Sequence, residues 1–78
     1  MTEVRFAAIL ELKAAGLVEA LMEASGLGLD DALLRVFRSR VYRDLEREET
    51  KLWHHSPRLL LDCLKKEMET GTPEYPDE

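Results

Sequence analysis

Apolar residues recur at every third or fourth position along the first third of the chain. The members of this stripe are Phe6, Leu10, Ala14, Leu17, Leu21 and Ala24. This spacing predicts one amphipathic helix over residues 3 to about 24. Thr2 can cap the start, Glu3 suits the positive N-terminal end, and Gly26 provides a stop.

The same helix carries more apolar surface than one neighbour can cover. A second, weaker face consists of Val4, Ala8, Ala15 and Met22, with Ile9 and Ala20 on the other flank of the stripe. About 22 residues at 1.5 Å each span roughly 33 Å, whereas a compact chain of 78 residues has a diameter of about 30 Å. Either Gly16 bends the helix or the surplus face lies against another chain.

We expect the second outcome, a homodimer formed through the first helix, because its alanines allow a close helix–helix approach. The predicted interface residues are Phe6, Leu10, Leu17 and Leu21. The alternative is a helix wrapped wholly by its own chain.

A second helix is predicted to begin at Asp30 and Asp31, where acids are favoured. Its expected inner face consists of Leu29, Leu33, Val36, Phe37 and Val41, with Leu34 at the edge and Arg35 and Arg38 pointing away. Ser39 is either internal to this helix or the cap of a separate short helix. The polar run over residues 46–50 indicates a turn or a frayed end.

The last helix is predicted from Pro57 to about Thr70, with Ser56 as its cap and Gly71 as its end. Its expected inner face consists of Leu60, Leu61, Leu64 and Met68. Trp53, the only tryptophan, precedes the cap, and we expect it to fill the centre where the helices meet.

No repeat or alternating strand pattern is present, so the predicted fold is all-α, a small bundle of three or four helices. Residues 1–71 form the single helical domain in this interpretation. Residues 72–78 form an extended C-terminal tail. We expect the tail to be a frayed end rather than a docking peptide in polyproline conformation.

The composition is that of an ordinary soluble globular chain, with 45% hydrophobic and 35% charged residues. No apolar run approaches the ~18 residues of a membrane span, and the start does not resemble a signal peptide. A single cysteine suits a reducing compartment, so we expect a cytoplasmic protein. The net charge of −5 argues mildly against nucleic acid.

Candidate chemistry is sparse, and the sequence predicts neither an enzyme nor a cofactor. The candidate metal ligands are His54, His55 and Cys63, but zinc needs three or four suitably placed ligands. A reactive thiolate needs an electropositive setting, whereas Cys63 is flanked by Asp62. We therefore interpret the histidines as a turn partly packed on Trp53 and the cysteine as a small buried hydrophobe.

The most distinctive polar feature is a group of five arginines. They are Arg35, Arg38, Arg40, Arg43 and Arg47. On a helix or a helix–turn–helix, the first four could contact the phosphates of a nucleic acid. Acids follow at once from residue 44, and such a mixture also forms ion pairs within or between subunits.

The middle of the chain resembles a group of short bacterial proteins related to small domains found beside toxin–antitoxin genes. The residues that carry the resemblance are Gly28 to Leu33, Phe37, Ser39, Tyr42, Glu49 to Trp53, and Ser56. The resemblance implies a compact cytosolic helical protein that works by binding a partner, such as a cognate protein. We therefore expect a self-associating interaction module with an accessory or antitoxin-like role. The alternative is a DNA-binding regulator that uses the Arg35–Arg47 cluster.

Overall fold

The computed structural model describes residues 3–75 and contains four α-helices in that range. They are α1 (Glu3–Ser25), α2 (Leu29–Phe37), α3 (Arg40–Leu45) and α4 (Pro57–Thr70). Two short 3₁₀ turns, Glu48–Thr50 and Leu52–His54, connect α3 to α4. The described residues contain no strand, so the all-α prediction is confirmed. The molecule measures 35 × 25 × 18 Å, and 23 residues of α1 span roughly its longest dimension.

The helix ends follow the local signals in the sequence. The N–H of Gly26 donates to the carbonyl of Met22 at 2.9 Å, and its φ of 75° ends α1 in the left-handed region. Ser56 caps α4 through a hydrogen bond from the Leu59 N–H to its Oγ at 3.2 Å. Gly71, with a φ of 89°, ends that helix. The predicted cap Thr2 lies outside the described residues.

Ser39 separates α2 from α3, which decides between the two interpretations of this region in favour of a short separate helix. Its Oγ donates to the Val36 carbonyl at 2.6 Å and accepts from the Tyr42 N–H at 3.1 Å. The side chain is buried and both of its hydrogen-bonding roles are used. The hydroxyl therefore ends one helix and begins the next.

Glu67, on the last turn of α4, completes the start of α3. Its Oε2 accepts from the Arg40 N–H at 2.9 Å, and its Oε1 accepts from the Val41 N–H at 3.1 Å. Free N–H groups and the positive end of the helix dipole both favour a carboxylate here. Ser39 caps only the Tyr42 N–H, so a residue 27 positions away accepts from the two N–H groups that this cap leaves open.

The core lies where α1 packs against α2 on one side and α4 on the other. Its buried side chains are Leu17, Val18, Leu21, Ala32, Val36, Val41, Leu45, Leu52, Leu60, Leu61, Cys63 and Leu64. Leu17 and Leu21 are 0% and 1% exposed, so these two predicted interface residues face the chain's own core instead. Phe6 and Leu10 are partly buried.

Three side chains expected on inner faces are about half exposed: Leu29, Phe37 and Met68. The buried positions of α2 are Ala32 and Val36. The row of Leu29, Leu33 and Phe37 therefore lies at the edge of the contact between α2 and α1. Met68 lies in the last turn of α4, where Glu67 contacts α3 through its carboxylate. These predictions were wrong because small Ala32 is a core position and because a polar contact determines the end of α4.

Trp53 lies at the margin of the core rather than at its centre, whereas its neighbour Leu52 is buried. The indole N–H donates to the Glu48 carbonyl at 3.0 Å, and the ring meets Phe6 edge-to-face at 6.3 Å between centroids. The predicted central position was wrong, since the indole N–H needs a polar partner and finds it at the surface turn.

Gly16 is a packing position, and α1 is continuous through it. A Cβ built on Gly16 would lie 2.7 Å from Cγ and 3.1 Å from Cβ of Pro57. Pro57 is the first residue of α4. Because its side chain is a rigid ring, these atoms cannot rotate away from an added Cβ. The glycine therefore lets the start of α4 approach the middle of α1.

We predict that Gly16→Ala lowers the free energy of unfolding by about 1–2 kcal/mol, because the clash with Pro57 outweighs the better helix propensity of alanine. In a Pro57→Ala background, which removes Cγ but keeps the Cβ at 3.1 Å, the same change should lower the free energy of unfolding by less than it does in the wild-type background. Urea denaturation followed by circular dichroism measures both values. Stabilisation by Gly16→Ala in the wild-type background would contradict the packing role.

Candidate interaction surface

The outer face of α1 presents large apolar side chains to solvent. Val4 is 80% exposed and Leu12 is 73% exposed, and Ala8 between them is exposed as well. Their spacing of four residues places all three on one side of the helix. Of the second, weaker face expected from the sequence, Val4, Ala8 and Ala15 are exposed, whereas Met22 is half-buried against the core.

A groove of about 490 Å³ continues from this face between α1 and α2. Its lining consists of Leu10, Glu11, Ala14, Ala15, Val18, Glu19, Leu29, Leu33, Phe37 and Tyr42. Phe37 and Tyr42 meet edge-to-face at 4.7 Å between ring centroids, with an angle of 85° between their planes. This aromatic pair stabilises the wall formed by α2 and α3, and the groove floor is mainly apolar.

Two carboxylates lie along the α1 wall of the groove. Glu11 and Glu19 are both exposed, and within residues 3–75 neither side chain makes a hydrogen bond or an ion pair. No basic residue is part of the lining. The groove therefore combines an apolar floor with a negative rim.

The four arginines predicted as a nucleic-acid contact are all exposed. Arg35 lies on α2, Arg38 directly follows it, and Arg40 and Arg43 lie on α3. Arg40 Nε lies 3.9 Å from Asp44 Oδ2. For the part of the chain that the structure describes, Arg35, Arg38 and Arg43 have no ion-pair partner. The fifth member of the cluster, Arg47, pairs with Glu49 at 2.9 Å, so the cluster is partly paired internally.

The start of α3 is not an open anion site, although two of these arginines flank it. The Glu67 carboxylate already accepts from its first two N–H groups. An incoming phosphate would have to displace this carboxylate and would be repelled by it at close range.

The structure does not bring His54, His55 and Cys63 together as a site. His54 stacks on Trp53 at 4.0 Å between ring centroids, whereas Cys63 is buried in the core. Burial, and then the neighbouring Asp62 carboxylate, raise the pKa of the Cys63 thiol, which disfavours the reactive thiolate. Among the described residues, no three metal-ligating side chains are grouped so that they could hold an ion.

The tail is packed as far as Tyr75, so the expectation of a frayed end is wrong for this part. The Tyr75 hydroxyl donates to Asp44 Oδ2 at 2.6 Å, and the ring packs against the core. Lys66 Nζ lies 4.0 Å from Glu74 Oε2. The rest of the predicted tail, residues 76–78, lies outside the described residues.

Sequence reasoning missed three residues that matter for this surface and its support: Leu12, Glu67 and Tyr75. Leu12 could have been found, since it continues the spacing of Val4 and Ala8. Glu67 and Tyr75 act on residues 27 and 31 positions away, and no local pattern marks such contacts.

Comparisons with known proteins add no relative: no family model, no curated protein and no solved structure matches this chain. The resemblance to domains found beside toxin–antitoxin genes thus stays an expectation from the sequence. None of the helices within residues 3–75 has the combination of length and apolar character that crossing a membrane requires.

The tail contact predicts a pH dependence. Burial, and then the hydrogen bond to Asp44, raise the pKa of Tyr75 above its ordinary value of 10.0. The stabilisation is therefore fully present below pH 10.0 and is lost as the pH rises through the folded-state pKa. We expect Tyr75→Phe to cost about 1 kcal/mol at neutral pH and to reduce the loss of stability on going above pH 10.0.

Thermal unfolding of both proteins across this pH range tests the prediction. Tyr42→Phe is the control at neutral pH, since the Tyr42 hydroxyl makes no hydrogen bond within the described residues. Equal alkaline losses in wild type and Tyr75→Phe would show that the Tyr75 phenol does not contribute.

Proposed function

We propose that this chain is a small helical protein–protein interaction module of the cytoplasm that self-associates through the outer face of α1. We also propose an accessory or antitoxin-like role, in which the chain holds a partner protein; the resemblance in the sequence supports this role. The observation that carries the proposal is the exposure of Val4 and Leu12, at 80% and 73%, beside an apolar groove.

The energetic argument rests on these side chains. Burying a Val or Leu side chain contributes about 1.5–3 kcal/mol relative to leaving it in water. In a two-fold dimer the same patch is used on both copies, so each favourable burial occurs twice. Ala8 lies between the two large residues and permits a close approach of the two helices.

The proposed interface differs from the set expected from the sequence. Leu17 and Leu21 are buried in the chain's own core. Phe6 contacts Trp53, and Leu10 lines the groove. The centre of the proposed self-association face is therefore Val4, Ala8 and Leu12, on the N-terminal half of α1.

We predict that the wild-type protein has twice its chain mass of 9.0 kDa in solution and that Leu12→Glu returns it to the mass of one chain. A charge in the middle of an apolar interface must be desolvated without a partner. Sedimentation equilibrium measures the mass. Met68→Glu is the matched control, because Met68 is another exposed large apolar side chain, at 50%, but lies on α4. A wild-type mass of 9.0 kDa, or equal effects of the two variants, would contradict self-association through α1.

Nucleic-acid binding is the second candidate function, supported by the exposed and unpaired guanidinium groups of Arg35, Arg38 and Arg43 in the described part of the chain. It ranks second because the net charge is −5 and because Glu67 occupies the start of α3.

If this candidate is correct, Arg38→Glu/Arg43→Glu should weaken binding to generic duplex DNA at low salt and reduce the salt slope by about 2. The matched control is Arg58→Glu/Lys65→Glu, which changes the net charge by the same amount at exposed positions of α4. Fluorescence anisotropy of labelled DNA compares the two. Equal binding by both double variants would eliminate a specific role for the arginines of α2 and α3.

A further inference from the structure

We propose that the groove between α1 and α2 binds an amphipathic helix of a partner protein that carries basic residues beside its apolar row. This inference rests on the proposed function as an interaction module and names the class of partner. The groove adjoins the proposed self-association face, but Val4, Ala8 and Leu12 are not part of its lining.

The dimensions of the groove suit a short helix. Its α1 wall runs from Leu10 to Glu19, which is roughly 14 Å along the helix axis, or about two and a half turns. The opposite wall is the row of Leu29, Leu33 and Phe37 on α2. Apolar side chains spaced by three or four residues on a bound helix can contact both walls, which is the usual geometry of helix-in-groove recognition.

The charge of the groove selects among such helices. Glu11 and Glu19 are the two charged residues of the lining, and both carboxylates are unpaired within residues 3–75. They lie on one side of α1, about two turns apart along the axis. A lysine or arginine at a matching spacing on the partner would meet each carboxylate, whereas acids there would be repelled.

The same charges disfavour a second copy of this chain in the groove. Packing two grooves face to face would bring four unpaired carboxylates onto opposing walls, with no basic lining residue to neutralise them. Like charges brought together at an interface cost several kcal/mol. The acidic rim therefore points to a basic partner of a different sequence.

Two synthetic helical peptides test the proposal with defined probes. Both carry the same leucine row at helical spacing, and they differ only in having two lysines or two glutamates flanking it at two-turn separation. Isothermal titration calorimetry at low salt measures their affinity for the full chain. We expect the lysine peptide to bind about tenfold or more tightly than the glutamate peptide.

Charge variants of the protein make the test specific to the groove. Glu11→Lys/Glu19→Lys should reverse the preference, and Glu11→Gln/Glu19→Gln should remove it without reversing it. Glu3→Lys/Glu23→Lys is the matched control, because it changes the net charge of the same helix equally at exposed positions outside the groove lining. The control should keep the wild-type preference.

Three outcomes would overturn the inference. The first is that neither peptide binds, and the second is that the Glu3→Lys/Glu23→Lys control loses or reverses the preference for the lysine peptide. The third is that Leu33→Glu abolishes self-association while Leu12→Glu has no effect on it. The last result would place a second copy in the groove. Failure of the inference and failure of self-association are separable. If the protein is a dimer and binds neither peptide, only the proposal of a basic partner is contradicted. If it is a monomer and binds the lysine peptide, only the proposal of self-association is contradicted.

Discussion

The close contact between Gly16 and Pro57 is the constraint on which the arrangement of helices depends. At the position of Gly16 no side chain separates α1 from the first turn of α4, and a Cβ there would lie 2.7 Å from the proline ring. With this contact made, one side of α1 packs against α4 and another side packs against α2. Leu17 and Leu21 lie between these two helices and are buried in the core. The outer side, with Val4 and Leu12, is what remains uncovered.

Polar contacts from outside hold α3 in this arrangement, because six residues are too few for a stable helix on their own. Glu67 caps its start, and Tyr75 contacts Asp44 near its end. Both contacts come from the C-terminal part of the chain. The aromatic wall of the groove depends on them indirectly, since Tyr42 belongs to α3 and meets Phe37 of α2.

Local signals allowed the helices to be predicted, and contacts between distant residues account for most of what was missed. Gly26, Ser39, Ser56 and Gly71 mark helix ends by their own backbone or side-chain chemistry, and all four act in that way. Periodicity showed that α1 has two apolar faces but could not decide how its core would be shared with its neighbours. The candidate groove was not foreseen, because it arises from the placement of α2 beside α1.

The position of Trp53 gives the molecule a built-in optical reporter. It is the only tryptophan, and its indole touches Phe6 at the N-terminal end of α1 and stacks on His54. Its emission therefore senses whether the start of α1 is seated on the turn before α4. This end of α1 also carries Val4, so the fluorophore packs against the helix end whose outer side we propose as the self-association face.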